Sequence, residues 1–491
     1  MIAENPAISR RMSTSRISTL RESTRIKGWI QDLGIREQSI AGLRRSLLAL
    51  VGLIVVVSIA CTSADDFAPS VLTTESLVPE AVASFEVPVP TPTVPSPPTL
   101  TPIPTSSRDS VPSEAVAPFT GEWTYPEAER VFHWAFSQNW DTDFRFRTID
   151  LAEIETYNFR DRISPLDSPE FTQVGGAPDY MKPGEPVVSL VVDGRARAYP
   201  LAILMRHEVV NDSLGDRPVV VTYCPLCNTA IVFESTVDGQ QLRFGTTGNL
   251  RKSDLIMWDS ETSSWWQQIT GEAIVGEYAQ SHTVLETIPT EIIPWERFAN
   301  DHPEGEVIVR PIDDDGEPQH EYDSPPYTGY VDANRNPLGY NGLVDRQLLV
   351  TSRVLALNND ESAVVYPFEF LAEHPVLNDT IDGQSIVTVF DHATDSSFDG
   401  YDGEEADGGS ATAFSRVVGD RTLSFESDPQ GMVDSETGTI WSLSGRGLSG
   451  ELAGEQLALV DHGNHFWFAV ALFWPRTEIR DSLGELAVAA R

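Results

Sequence analysis

Two cysteines that follow a short apolar segment are the residues of this chain best suited to chemistry. The run VVVTY (219–223) has the character of a buried β-strand and leads directly into Cys224-Pro225-Leu226-Cys227. Pro225 has a fixed φ angle and no amide donor, which favours a tight turn that brings both sulfur atoms to one side. Such a pair can bind a soft metal ion, act as a redox-active dithiol or form a structural disulfide.

A histidine upstream of the pair favours the metal hypothesis. His207 lies near the end of a helix that Pro200 is predicted to open. The end of a helix and the end of the next strand can converge, so we expect His207 to join Cys224 and Cys227 in one site. Two thiolates and an imidazole suit Cu⁺ or Zn²⁺, with copper favoured, and Met257 or water is a candidate further ligand. This hypothesis predicts metal handling or a metal-dependent redox step.

The alternatives stay open at the level of the sequence. A redox-active Cys224–Cys227 pair needs no metal, but thioredoxin-like proteins place a long helix after the motif, whereas residues 228–244 have the pattern of strand, turn and strand. A disulfide with a purely structural role is the third possibility. It goes with a second function class, a non-catalytic module that binds a ligand or partner.

An aromatic and polar group of residues is the candidate ligand platform for such a module. Trp266 and its neighbours either stack on a ligand or belong to the core. The group consists of Trp265, Trp266, Gln267 and Arg251. No sequence motif of a hydrolase accompanies them, so whether the protein is an enzyme is not decided by the sequence.

The cysteines lie in one half of an internal repeat. Residues 199–212 and 366–379 are identical at seven of fourteen positions, at an offset of 167 residues. The same offset places Asp391 and Thr394 opposite Cys224 and Cys227. We therefore predict a duplicated unit whose second copy lacks the thiols.

Short apolar runs separated by Gly, Asn-Asp and Asp-Gly turns dominate the chain after residue 121. They predict a mainly β (α+β) fold with few short helices and two pseudo-symmetric β-rich lobes that arise from the duplication. The predicted first lobe spans 121–350 and contains the cysteine motif. The second, degenerate lobe spans 351–480, and 481–491 form a tail.

The N-terminal region has the features of an export signal. A polar, net basic stretch ending in Arg44-Arg45 precedes the apolar run 46–60, and Cys61 follows Ala60. This order predicts a signal with a lipidated Cys61 over residues 1–61, or an uncleaved membrane anchor. Residues 62–120 include a tract rich in Pro, Thr and Ser that favours an extended linker. The protein is thus expected outside the cytoplasm, tethered to a membrane.

Charge and cysteine content exclude some classes of protein. The 491 residues carry a net charge of −39, and no basic stripe exists that could neutralise phosphates, so nucleic acid is not an expected partner. There are only 3 cysteines, and Cys61 is assigned to lipidation. A disulfide framework therefore cannot hold the fold together, and stability must come from the hydrophobic core.

Several long motifs resemble a bacterial family known as domain of unknown function 3179. They are RHEVVND (206–212), VTYCPLCNTAIVF (221–233), the segment 244–276 and the closing FWFAVALFWPRTEI (466–479). The resemblance spans most of residues 125–480 and implies an exported protein without an assigned activity. His462 and His465, just before the closing motif, depart from the family pattern.

Overall fold

The computed structural model describes residues 115–121, 123–327, 329–331, 335–359, 362–398 and 408–483. The predicted export signal, Cys61 and most of the linker lie outside the described residues. Contacts divide the chain into two units, 1–101 with 121–125, and 102–120 with 126–491. The elements named below belong to the second unit, apart from the first residue of helix α1. No described helix has the length and apolar character needed to cross a membrane.

The helices are short. In chain order they are α1 Tyr125–Phe132, α2 Leu201–His207, α3 Glu277–Gln280, α4 Trp295–Asp301, α5 Phe368–Glu373 and α6 Trp467–Phe473. A π-helical turn, His133–Ser137, and two 3₁₀ turns, Leu151–Glu153 and Val174–Gly176, complete the helical structure of the described residues. Helix α2 begins directly after Pro200, as the sequence predicts, because a proline before the first turn needs no amide partner there.

Strands make up most of the regular structure. Of the residues described, 39% lie in strands and 14% in helices. The first half contains β1 Ile154–Thr156, β2 Phe171–Gln173, β3 Pro186–Val192, β4 Arg195–Pro200, β5 Val209–Leu214, β6 Arg217–Cys224, β7 Thr229–Glu234, β8 Thr236–Val237, β9 Gln240–Gln241, β10 Phe244–Arg251, β11 Asp254–Asp259, β12 Trp265–Gln267, β13 Ala273–Val275, β14 Thr287–Ile288, β15 Glu291–Pro294 and β16 Glu306–Ile308. The second half contains β17 Arg353–Asn358, β18 Ser362–Pro367, β19 Val376–Ile381, β20 Gln384–Asp391, β21 Ser410–Ser415, β22 Val417–Val418, β23 Arg421–Thr422, β24 Phe425–Asp428, β25 Gly431–Asp434, β26 Ile440–Trp441, β27 Gly447–Ser449, β28 Gly463–Phe466 and β29 Arg476–Ile479. The prediction of a mainly β fold with few short helices is confirmed.

The same sheet arrangements occur in both halves. Sheets β15-β3-β4-β16-β2 and β28-β17-β18-β29 each join an antiparallel hairpin to a strand-helix-strand unit. The second strand of this unit runs parallel to the second strand of the hairpin. Sheet β14-β7-β6-β5 corresponds to β19-β20-β21, and β10-β11-β12-β13 to β24-β25-β26-β27. This recurrence is what a duplicated unit requires, and the duplication itself stays a prediction.

Equivalent side chains also make equivalent contacts in the two halves. Tyr199 donates its hydroxyl proton to Asp212 over 2.7 Å, and Tyr366 donates to Asp379 over 2.6 Å. The match ends at the histidines, because His207 is buried whereas His374 is half-buried against Phe370. The two halves therefore share contacts that build the sheets and differ in the residues near the cysteine turn.

One hydrophobic cluster joins the two halves. It combines residues of the first half, such as Tyr223 and Val188, with Val354, Phe466 and Trp467 of the second. Smaller clusters lie within each half. The cysteine turn belongs to the shared cluster, so it sits where the halves pack together.

Candidate metal centre

The two cysteines lie on the tight turn that links β6 to β7. Cys224 is the last residue of β6 and pairs with Thr229, the first residue of β7. The amide of Cys227 donates to the Cys224 carbonyl over 3.1 Å, and Asn228 adopts a φ of 51° that lets the chain re-enter the sheet. Both cysteines are buried, and no disulfide joins them. The predicted turn and the convergence of the sulfur atoms agree with this geometry.

Residues from elsewhere in the chain hold this turn in place. The Phe466 amide, in the second half, donates to the Cys227 carbonyl over 2.9 Å. The hydroxyl of Tyr330 donates to the Leu226 carbonyl over 3.0 Å. The position of the turn therefore depends on long-range contacts as well as on its own sequence.

A second tight turn, between β10 and β11, faces the thiols. Lys252 and Ser253 form its two-residue loop, with φ angles of 53° and 70°. Both angles are positive, as in type I′ hairpins, where Asn and Gly are the usual residues. The turn directs the Ser253 carbonyl toward the sulfur atoms, at 3.4 Å from Cys227 Sγ and 3.9 Å from Cys224 Sγ.

Asp254, which follows this turn, completes a group of three candidate ligands. One carboxylate oxygen of Asp254 and the sulfur atoms of Cys224 and Cys227 all lie within 4.8 Å of one another. Its Oδ2 accepts hydrogen bonds from Gln267 Nε2 over 2.6 Å and from the Ile269 amide over 3.0 Å. Its Oδ1 is buried and accepts no hydrogen bond from an N–H or hydroxyl group of the described residues, and the Cys224 and Cys227 thiols interact with this carboxylate. A buried carboxylate oxygen without a partner is unfavourable unless another group, such as a cation, compensates for its lost hydration.

Glu208 brings a second carboxylate to the same region. It follows helix α2 with a φ of 59°, and its carbonyl accepts the amide proton of Tyr223, the neighbour of Cys224. Only 7% of Glu208 is exposed, and its side chain makes no hydrogen bond within the described part of the chain. Its charge interacts with those of Asp254 and Cys224.

Burial disfavours the charged form of each of these groups in the absence of a cation. It raises the pKa of Asp254 to about 6 and that of Glu208 to about 8, and Asp254 raises the latter further. Burial also raises the pKa of the Cys224 thiol, and that of Cys227 even more clearly. A reactive redox cysteine needs a lowered pKa, so this environment disfavours the dithiol alternative. A bound cation would reverse the effect, because it stabilises thiolates and carboxylates.

The comparison with known proteins places the chain in a family. A family model described as Protein of unknown function (DUF3179) matches residues 160–477. The chain belongs to this family. Its resemblance to the family is thereby confirmed, and no curated protein or solved structure matches it. The DUF3179 region contains both cysteines, Asp254 and Glu208, so their role has to be argued from the geometry.

The structure does not bring His207 to the cysteines. Its Nδ1 bonds to the Ser164 carbonyl and its Nε2 to the Tyr322 hydroxyl, each over 2.8 Å. Burial lowers the pKa of His207 to about 4, so the ring is neutral. Because both ring nitrogens already have partners, His207 has a structural role here. Asp254, not His207, lies beside the two cysteines.

Another imidazole contacts the cysteine turn without joining the candidate ligands. His465 Nδ1 lies 2.9 Å from Thr229 Oγ1, which also donates to the Cys227 carbonyl over 3.2 Å. Burial lowers the pKa of His465 to about 3. It stays neutral and supports the turn through Thr229.

Met257 lies on the strand that begins with Asp254 but on its other face. Side chains alternate along a strand, so residues 254 and 257 point in opposite directions. Met257 is fully buried and pairs with Thr246 and Trp266 on the neighbouring strands. The structure therefore gives no support to Met257 as a ligand.

The residues of the candidate ligand platform belong to the core. Trp265, Trp266 and Gln267 are fully buried in β12, and Trp266 donates its Nε1 proton to Asp259 over 2.9 Å. Arg251 forms an ion pair with Glu153 at 2.8 Å. Fully buried rings cannot stack on a ligand that arrives from solvent, so Trp265 and Trp266 have a structural role.

Asp254 and Glu208 were not identified from the sequence. Each is an acid at the edge of an apolar segment, DLIMW in one case and LAILMRHE in the other. An acidic residue at such a position is a usable signal for a buried charge. The pairing of the two turns, which makes this signal specific, becomes visible only in the folded chain.

Proposed function

We propose that the protein binds a resident divalent metal ion of the zinc type through Cys224, Cys227 and Asp254. The supporting observation is the buried Oδ1 of Asp254, which accepts no hydrogen bond from an N–H or hydroxyl group of the described residues and lies beside two buried thiols. A set of two sulfur atoms and one carboxylate oxygen suits Zn²⁺, whereas Cu⁺ prefers sulfur and disfavours hard oxygen ligands. Zinc is therefore a better candidate than copper, and the bound ion would have no redox role of its own.

The burial of the site supports a resident ion. Cys224 is 2% exposed, and Cys227 and Asp254 are fully buried, so an ion bound there would exchange slowly unless the structure opened. The ion would join the β6–β7 turn to the β10–β11 turn. If the export predicted from residues 1–61 is correct, bound metal would also protect the two thiols from oxidation outside the cytoplasm.

The test is metal binding by the reduced protein, purified without oxygen and stripped with a chelator. We expect the wild type to take up one Zn²⁺ or Co²⁺ per chain, with metal–sulfur distances of about 2.3 Å by X-ray absorption. Cys224→Ser and Asp254→Asn should lower the affinity by more than the roughly 10–100-fold typical of outer-shell changes. His374→Ala, at the equivalent of His207 in the second half, is the matched control and should bind like the wild type.

Two results would contradict the proposal. One is wild-type protein that takes up no divalent ion although its thiols are reduced. The other is a Cys224→Ser variant that keeps full metal content. Native protein whose mass shows a Cys224–Cys227 disulfide would favour the structural alternative.

A further inference from the structure

We propose that the carboxylate of Glu208 is the fourth protein ligand of this metal centre and determines its preference for zinc-type ions over Cu⁺. The inference rests on the proposed metal site. It turns a three-ligand set into a closed set of two sulfur and two oxygen ligands. Closed four-coordinate sets of protein ligands are typical of structural zinc sites.

The backbone places Glu208 beside the end of strand β6. Its carbonyl accepts the Tyr223 amide over 2.8 Å, which fixes it beside the strand end that carries Cys224. Its φ of 59° is uncommon for a residue with a Cβ atom, and helices often end with Gly at such a position. The chain therefore keeps a glutamate where its backbone conformation would favour glycine.

The side chain is also without a partner. Glu208 is more than nine-tenths buried, its carboxylate makes no hydrogen bond within the described residues, and its charge interacts with Asp254 and Cys224. Asp254 Oδ1 likewise accepts no hydrogen bond from an N–H or hydroxyl group of the described residues. Neither carboxylate has a cationic partner among the described residues, and burial beside two thiols disfavours their ionised forms unless a cation is bound. Glu208 lies outside the group of atoms within 4.8 Å, so the proposal requires its side chain to rotate toward the ion.

The second half shows what happens where this site is absent. At the offset of 167 residues, Pro375 stands opposite Glu208, while Asp391 and Thr394 stand opposite the cysteines. Asp391 forms an ion pair with Arg297, a cation from the chain itself. In the second half an arginine supplies the positive charge. The first half has no salt bridge to Asp254 or Glu208 among the described residues.

The experiment compares Co²⁺ and Zn²⁺ binding by the wild type and Glu208→Gln, both as full-length chains. We expect Glu208→Gln to weaken Zn²⁺ binding by more than the roughly 10–100-fold typical of outer-shell changes, to change the visible Co²⁺ spectrum and to lose preference for Zn²⁺ over Cu⁺. Glu208→Asp keeps the charge and should give an intermediate affinity. Circular dichroism of the metal-free proteins checks that both variants fold.

The matched control is Glu291→Gln, which also removes a buried glutamate with an unpartnered oxygen but lies next to Arg297. It should bind metal like the wild type. If Glu208→Gln and the wild type share one affinity and one Co²⁺ spectrum while Cys224→Ser binds nothing, the metal centre stands and the role of Glu208 is wrong. If the wild type itself binds no metal, the proposed function fails first.

Discussion

At the scale of single residues, the main feature is how the negative charge of each buried carboxylate is neutralised. Asp391 has Arg297 as a cationic partner, whereas Asp254 and Glu208 form no ion pair among the described residues. A buried carboxylate must either take up a proton or gain a cation, because its ionised form loses hydration. The proposed metal ion is the cation that would compensate Asp254 and Glu208.

Glu291 offers a test of such compensation away from the metal centre. Burial raises its pKa to about 7, although Arg297 acts in the opposite direction. Because the pKa of this acid is raised in the folded state, the contribution of Glu291 to stability is fully present below about pH 4.5 and is lost as the pH rises through 7. We expect wild-type protein to lose on the order of 2 kcal/mol more than Glu291→Gln between pH 5 and 8. Urea unfolding at both pH values measures this, and equal losses would contradict it.

At the scale of elements, each half contains a loop between two strands that is held by the same pattern of hydrogen bonds to an aspartate. Asp259 accepts hydrogen bonds from Thr262 and from Trp266 Nε1, and Asp434 accepts them from Thr437 and Trp441 Nε1. Both tryptophan bonds measure 2.9 Å. Each aspartate orders the loop before the strand that carries its tryptophan.

This recurrence predicts matched effects of mutation. Asp259→Ala and Asp434→Ala should each lower the free energy of unfolding by about 3 kcal/mol, because buried donors lose their acceptor. Urea unfolding of both variants provides the measurement, and Asp314→Ala, at an exposed position, should change little. A large loss in one half with none in the other would speak against equivalent roles.

At the scale of the whole molecule, the halves share one hydrophobic cluster, and the cysteine turn lies in it. Phe466 belongs to this cluster and also holds the cysteine turn through its backbone amide. The predicted lobes 121–350 and 351–480 are therefore not expected to be independent folding units.

Fragments test this dependence directly. Residues 121–350 alone should show no cooperative unfolding transition and no tight metal binding, because burial of Tyr223 and the cysteine turn needs the second half. Residues 121–480 should restore both properties. A fragment 121–350 that folds cooperatively and binds metal like the full chain would contradict the prediction.

The sequence by itself determined the features that depend on local interactions. The strand before Cys224, the tight turn at Pro225 and the start of helix α2 after Pro200 follow from apolar runs and from the geometry of proline. These features identified Cys224 and Cys227 correctly as neighbours. The mainly β fold and the family resemblance also followed from the sequence.

Only the tertiary structure decided which other residues join the cysteines. Asp254 reaches them because the β10–β11 turn packs against the β6–β7 turn, and the backbone of Glu208 lies beside them because its carbonyl accepts the Tyr223 amide proton. His207, close to both in sequence, is held elsewhere by Ser164 and Tyr322. Hydrogen bonds between distant segments determine the position of a buried polar side chain in the fold. The hydrophobic periodicity of the sequence does not reveal these bonds.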